Sequence, residues 1–402
     1  MKTFNLWLLV ICGVMTFGCS DETLEAVTPE ATTAVTQDDA SLRTTGTVNY
    51  TSQEDLADFF STYGFIEPDD VYLNRTASKS GYTSVYGFNI PSGNQQIGFK
   101  WNADDTQTEK WYPQGVGGFN WNGRRYVVVS WYAKDYYKGS RVSLVDITDM
   151  SNIKYRHILL VQSRTTQTSS EYTQLETFRP VDIHAGGVAC HNGKLFVAST
   201  NLGIRVFDLT KIIEVNYTDA GTICGWDESS NQIYALGYRY ILPQVGYYSI
   251  SEGDPFSCLS LSYGINDSDL RLTTGQYLTS GSPVINSFYV DSNGDIDTSI
   301  APEIIAPEDK YEGPVYRVQG AFTRYGKSFL IHTGNSSYEG STARLSKAVE
   351  GSTTVRYRWP HGAEDLYYES STGLLWNVTE YPTSKYGTDN RCVFAVKLED
   401  YW

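Results

Sequence analysis

Residues 114–123, Gln-Gly-Val-Gly-Gly-Phe-Asn-Trp-Asn-Gly, run directly into RRYVVVSW at 124–131, then RVSLVDI at 141–147 and YRHILLV at 155–161. Small and apolar residues alternate up to Asn122-Gly123, and β-branched and aromatic runs follow. An Asn-Gly pair supplies the positive φ that a tight hairpin needs, so the stretch reads as consecutive antiparallel strands. The plan recurs. His184-Ala-Gly-Gly-Val-Ala-Cys-His-Asn-Gly precedes KLFVAST and GIRVFDL; Gln319-Gly-Ala-Phe-Thr-Arg-Tyr-Gly precedes KSFLIHT, TARLSKA and TVRYRW; Glu364-Asp-Leu-Tyr-Tyr-Glu-Ser-Ser-Thr-Gly precedes LLWNVTE and RCVFAVKL. A degenerate unit between the second and these last two combines QIYALG, YRYILPQ, FSCLSLS and LRLTTGQYL.

Units of three or four antiparallel strands recurring at roughly 45 to 80 residues are the signature of a β-propeller. The expected fold is therefore all-β, a single propeller of five blades, with a sixth blade from residues 46 to 101 as the competing count. The last unit ends after RCVFAVKL without an outer strand, while QQIGFKW at 95–101 precedes the first unit. That N-terminal strand is expected to complete the C-terminal blade and close the ring, which removes exposed sheet edges. Helical periodicity is confined to Gln53–Thr62.

The stretches WYPQG, VVVSWY, RVSLVDI, YRHILLV, FRPVDIHAGGV, GIRVFDL, YRYILPQ, VQGAF, AEDLYY and LWNVTEYP, spread over residues 100–402, resemble a group of secreted bacterial β-propeller proteins. The resemblance implies the propeller fold and export, and it implies no particular activity.

The first residues carry an export signal of their own. Lys2, an apolar run from Leu6 to Val14 and Thr16-Phe17-Gly18-Cys19 have the layout of a secretory signal peptide, with small Gly18 before the cysteine of a lipoprotein processing site. The reading is a signal peptide over 1–18, lipidation at Cys19, a flexible tether over 19–46 rich in Thr, Ala and acidic residues, and a propeller over 47–402. Ser20-Asp21-Glu22 resembles the surface-export signals of some Gram-negative bacteria. The expected location is the outer membrane, lipid-anchored and facing outward. The 31 Lys and Arg against 46 Asp and Glu give a net charge of −15, which opposes nucleic-acid binding. Once Cys12 and Cys19 are set aside, Cys190, Cys224, Cys258 and Cys392 remain without any CxxC spacing, which argues against zinc; an oxidising compartment allows disulfides among them.

The repeat register nominates a site. Gln114, His184 and Glu364 stand ten positions before Arg124, Lys194 and Leu374, and Gln319 stands eight before Lys327. Equivalent positions on innermost strands converge on the propeller axis, where ligand sites form a concave mouth. Asp365 follows Glu364, and the ends of second strands add Trp131, Tyr132, Asn201, Gln244, His332 and Glu380. Polar groups at an axis also serve merely to bind water and cap strand ends.

Three chemistries fit. A glycoside hydrolase needs two carboxyl groups, for which Glu364 with Glu380 is the better pair and Asp365 the other candidate. A polysaccharide lyase needs a base and a carboxylate neutraliser, which His184, His332 or Tyr132 with Arg205 or Arg239 would supply. A calcium ion would draw oxygen ligands from Gln114, Gln319, Glu364 and Asp365. Thirty-one Tyr and nine Trp suit sugar stacking as well as strands. Extracellular glycan is thus the expected partner, handled by a surface hydrolase or lyase. The alternatives are a non-catalytic glycan binder that stacks sugars on Trp131, Tyr132 and Trp376, and a scaffold for an outer-membrane protein.

Overall fold

A computed structural model of the chain describes residues 47–402 except 80–96, 135–137, 165–171, 201, 216–220, 251–255, 282, 306–314, 334–342, 350–353 and 387–390. The described residues belong to one compact unit. Cys19, the signal peptide and the tether lie outside them, as does Asn201.

Five antiparallel blades follow one another along the chain. The first is Trp111–Trp121, Arg124–Ala133, Ser140–Asp146 and Lys154–Ser163. The second is Val188–His191, Lys194–Ser199, Gly203–Asp208 and the C-terminal half of Tyr240–Ile250. The third is Phe256–Tyr263, Leu270–Gln276, Ile285–Tyr289 and Glu303–Ile305. The fourth is Tyr316–Arg324, Lys327–Thr333, Ala343–Val349 and Val355–Trp359. The fifth is Ala363–Glu369, Leu374–Thr379 and Cys392–Lys397, and its outer strand is Ile97–Lys100, with Cys392 opposite Lys100 and Ala395 opposite Ile97. The N-terminal strand closes the ring as the sequence implies.

The packing explains the runs of consecutive apolar residues. In the second strand of the first blade, Val127 and Val129 face a core shared with the fifth blade, whereas Tyr126 and Val128 face a core shared with the second. In the next blade Leu195 and Val197 point back to the first blade while Phe196 and Ala198 point forward to the third. Successive side chains alternate faces, and here both faces are buried, so no polar alternation survives. Two further clusters join the third blade to the fourth and the fourth to the fifth. With those three junctions these make five, one between each pair of neighbours. The predicted turns hold too: Asn122 and Gly123 have φ of 45° and 81°, and Asn192 and Gly193 have 48° and 74°, the pattern of a type I′ hairpin.

The degenerate unit is where the sequence register slips. YRYILPQ is an outer strand of the second blade; its first half also pairs in parallel with the outer strand of the first, Ile241 opposite Leu159. QIYALG belongs to a small sheet outside the ring, Gln232–Ala235 with Ile223–Asp227 and Thr173–Gln174. The third blade begins only at FSCLSLS. No sixth blade forms from the described part of residues 46–101: Val48–Ser52 lines the outer edge of the second blade, Arg75–Thr76 that of the first, and Ser78–Lys79 that of the fifth. The disulfide expectation is also corrected. Cys190, Cys224, Cys258 and Cys392 are buried and not joined in disulfides, one in each of four different hydrophobic clusters.

Candidate active site at the propeller axis

Four of the five innermost strands break register at the same level, between Pro113 and Val116, Phe256 and Cys258, Tyr316 and Gly320, and Glu364 and Leu366. A bulge inserts residues that the partner strand does not match, and it re-aims their side chains. Gln114, Gln319 and Asp365 are such unmatched residues and Glu364 flanks one. The register that nominated them from sequence therefore marks a real structural device.

The axis is closed by backbone. A Cβ on Gly115 would sit 2.6 Å from the Val188 nitrogen, and one on Gly187 would collide with that of Leu259, so the first three innermost strands touch directly where only glycine fits. Asp365 fills the centre. Its Oδ2 accepts N–H groups from Val116 at 3.1 Å and Val188 at 2.9 Å, and its Oδ1 accepts that of Leu259 at 3.2 Å. One carboxylate of the fifth blade thereby ties together the first, second and third. Burial pushes the Asp365 carboxyl up, opposed by the N–H groups of Val188, Val116, Leu366 and Leu259, which favour the carboxylate form.

Glu364 and Glu380 are treated differently by their surroundings. The Gln319 Nε2 donates to Glu364 Oε1 at 3.0 Å, and the Gln114 Nε2 donates to Glu380 Oε2 at 3.0 Å. The second oxygen of each carboxyl, Glu364 Oε2 and Glu380 Oε1, is buried without a hydrogen-bond partner. Burial is the largest cause holding the Glu364 carboxyl well above the usual range, followed by the charges of Glu380 and Asp365. Burial leaves the Glu380 carboxyl above the usual range too, but less far, since a Tyr381 hydrogen bond, Lys385, Gln114 and Arg391 oppose it. Both carboxyls stay above the usual glutamate range, Glu364 further than Glu380, so Glu364 is the one that holds its proton more firmly.

An aromatic stack is linked to Glu380 through Arg391. Tyr132 lies between Tyr112, 5.7 Å away at 26°, and His184, 4.3 Å away at 31°. All three are half-buried, and packing pushes the His184 imidazole down to about 4, so it is neutral at pH 7. Arg391, fully buried, sits 5.2 Å over the Tyr112 ring and donates its Nε–H to the Glu380 carbonyl at 2.7 Å.

Other nominated residues lie elsewhere. His332 is buried, with its Nε2 2.7 Å from Ser346 Oγ in the next strand of its own blade. Trp131 does the same in the first blade, donating to Ser143 Oγ at 2.8 Å. Trp131 opposes Arg141 and His332 opposes Arg344, with the serine two residues further on in each case; the two are equivalent blade-stitching positions. Trp131 and Trp376 are fully buried and offer no face to a sugar. Gln244 is on an outer strand of the second blade, bound to Arg205 at 2.5 Å and to Gln53, apart from the carboxyl pair. For calcium, Asp365 is committed to backbone donors and both glutamines turn nitrogen to the carboxyls. Among the described residues no group of three or more His, Cys, Asp or Glu is placed to hold a metal.

Sequence reasoning missed Tyr112 and Arg391. Tyr112 carries a usable signal, since it lies two residues before the nominated Gln114 on the same innermost strand; Arg391, a lone cation opening an apolar strand, carries none.

No protein-family model matches the sequence, and no curated protein matches it. Among solved structures, the chain is similar to a GH43_1 enzyme from Xanthomonas citri complexed with xylose, at 8% identity and a TM-score of 0.39 over 72% of this chain and 88% of that one. PhoX from Pseudomonas fluorescens in complex with vanadate matches at 9% and 0.38, over 83% and 98%. A putative glycoside hydrolase from Parabacteroides distasonis matches at 10% and 0.34, over 77% and 96%. Likeness at this level carries no inference about chemistry, which the side chains at the axis must supply.

Proposed function

We propose that this chain is a surface-anchored glycoside hydrolase working at the axial end of its propeller. One observation carries the reading: two buried carboxyl groups, each fixed by a glutamine amide, each keep one oxygen without a partner. Glu364, holding its proton, would donate it to the leaving glycosidic oxygen. Glu380, the less strongly raised of the two, would in its carboxylate form take a proton from water or attack the anomeric carbon. The stacked, half-buried rings of Tyr112, Tyr132 and His184 supply an aromatic edge beside which a sugar would pack. The lyase alternative has less support, because Arg205 is engaged by Gln162 and Gln244, His332 is bound to Ser346, and Arg239 lines a cavity at the outer edge of the first blade and not the axis.

A polysaccharide digestion screen tests this. Glu364→Gln and Glu380→Gln should each lower sugar release by about 10²–10⁴-fold with unchanged circular dichroism. Unchanged turnover removes the pair from the mechanism. The second reading, a non-catalytic glycan binder or a scaffold, is favoured by burial: none of Gln114, Gln319, Glu364, Asp365 and Glu380 is more than 4% exposed, as expected of groups that only lock the ring. A wild-type chain that binds glycan on an array and releases no sugar from any polysaccharide would establish it. Anchoring through Cys19 is checked by mass spectrometry of the mature N-terminus, which should carry acyl chains and lose them in Cys19→Ser.

A further inference from the structure

A second polar region lies at the outer edge of the first blade. A cavity of about 260 Å³ there is lined by Arg75, Arg141, Arg156, Arg239, His157 and Tyr238, among others. Four arginines lining one small space is an unusual concentration in a chain of net charge −15. The carboxylates bound to them include Asp105, shared by Arg75 at 2.9 Å and Arg141 at 3.3 Å, and Glu214 on Arg239 at 2.6 Å. His157 adds no charge, since burial and Arg141 push it down to about 3 against the pull of Asp105.

Arg141 is the telling residue. It is 6% exposed, and its guanidinium lies 4.2 Å from the Trp111 ring centre and 5.0 Å from that of Trp131. Indoles cover its faces, so its N–H edge is the part left for polar contacts. Two of those contacts are long, 3.3 Å to Asp105 and 3.4 Å to the Tyr238 hydroxyl, and the Nε–H has no partner. A buried guanidinium N–H without an acceptor is costly unless something brings one.

We propose that this cavity binds the carboxylate of a single acidic sugar unit. Guanidinium forks match carboxylate geometry, and the volume is several times the ~30 Å³ share of a water yet just below the ~300–1,000 Å³ of ordinary small-molecule sites, which suits one ring and not a chain. The cavity also connects to the axis. Asp105 holds Arg75 and Arg141 through its carboxylate, its carbonyl accepts from Arg391 Nη1 at 3.0 Å, and Arg391 reaches the Glu380 carbonyl. The anion rests on the arginines alone; that it is a sugar rests on the glycoside hydrolase reading of the axis.

Titration calorimetry of the full chain with sodium glucuronate, glucose and sodium sulfate tests the proposal. Glucuronate should saturate with a Kd on the order of 1 mM or tighter, glucose should not bind, and sulfate should be at least about tenfold weaker. Arg141 sits in a buried network and its loss threatens folding, so the variants are Arg156→Gln and Arg239→Gln at the half-buried rim, each expected to weaken glucuronate at least about tenfold. Sulfate as tight as glucuronate, glucose binding as well as glucuronate, no saturation, or unchanged affinity in both variants would each overturn it. Calorimetry reads binding without turnover, so Glu364→Gln should leave this result unchanged whether or not it abolishes digestion.

Discussion

Two buried acids in this molecule are driven in opposite directions by their partners. At the rim of the first blade, Asp105 is surrounded by Arg75, Arg141, His157 and the Tyr155 hydroxyl at 2.6 Å. Although burial favours its protonated form, the His157 hydrogen bond, the charge of Arg141 and the Tyr155 hydrogen bond hold its carboxyl far below the usual range. At the axis, Glu364 is given one neutral amide and two acidic neighbours, and its carboxyl stays well above that range. Burial is common to both, so the partners decide the charge state. The rim acid is bonded through both oxygens, which marks a device for holding the N-terminal segment onto the ring. The axial pair leaves an oxygen idle on each side, which marks groups waiting for something else.

Asp365 tests that distinction most severely, because it stands beside Glu364 in sequence yet is saturated like Asp105. Asp365→Ala orphans three backbone N–H groups at the ring centre, and each such buried donor costs about 1–3 kcal/mol. We expect a loss of about 3 kcal/mol or more in urea unfolding. A loss under about 1 kcal/mol would mean that water replaces the carboxylate there and that the axis is not closed.

The next largest effect belongs to the rim. Asp105→Asn leaves buried Arg141 without its counter-charge, which should cost about 3–5 kcal/mol at pH 7. Because the folded-state value of Asp105 is depressed, its contribution is present above the unfolded carboxylate value of about 4 and is lost as pH falls below it. The wild type should therefore weaken on acidification from pH 5 to pH 3 more steeply than Asp105→Asn does. Parallel slopes in the two proteins would remove Asp105 from the acid limb.

How far the sequence foretold these regions follows from what each is made of. The ring was legible because the blades bury both faces and four of the five turn on a positive-φ glycine, and both leave marks in local sequence. Closure by Ile97–Lys100 was legible from a missing strand. The second-to-third blade boundary was not, since an outer strand that also serves the neighbouring blade looks like the start of a new unit. At the axis the counting found Gln114, Gln319 and Glu364, because bulges recur in register. It gave His332 and Trp131 the same standing, because a residue at the end of a second strand reads alike whether it faces the axis or stitches its blade to a serine. The rim cluster was invisible: Asp105, Arg75, Arg141 and His157 come from four separate segments, and only tertiary packing joins them.

The axial acid yields the smallest stability effect and the sharpest sign. A carboxyl whose folded-state value is raised favours the folded chain fully at and below the unfolded value of about 4.3, and that support is lost as pH rises toward the folded value. Glu364 should thus destabilise the wild type progressively above pH 5, the reverse of Asp105. Glu364→Gln keeps an acceptor for Gln319 and removes the charge that Glu380 and Asp365 oppose, so it should be more stable than wild type at pH 8 and indistinguishable from it at pH 4. Thermal unfolding at the two pH values decides this. If Glu364→Gln is no more stable at pH 8, the carboxyl is already ionised in the folded chain at neutral pH. The acid role then passes from Glu364 to Glu380, and the division of labour within the pair is inverted.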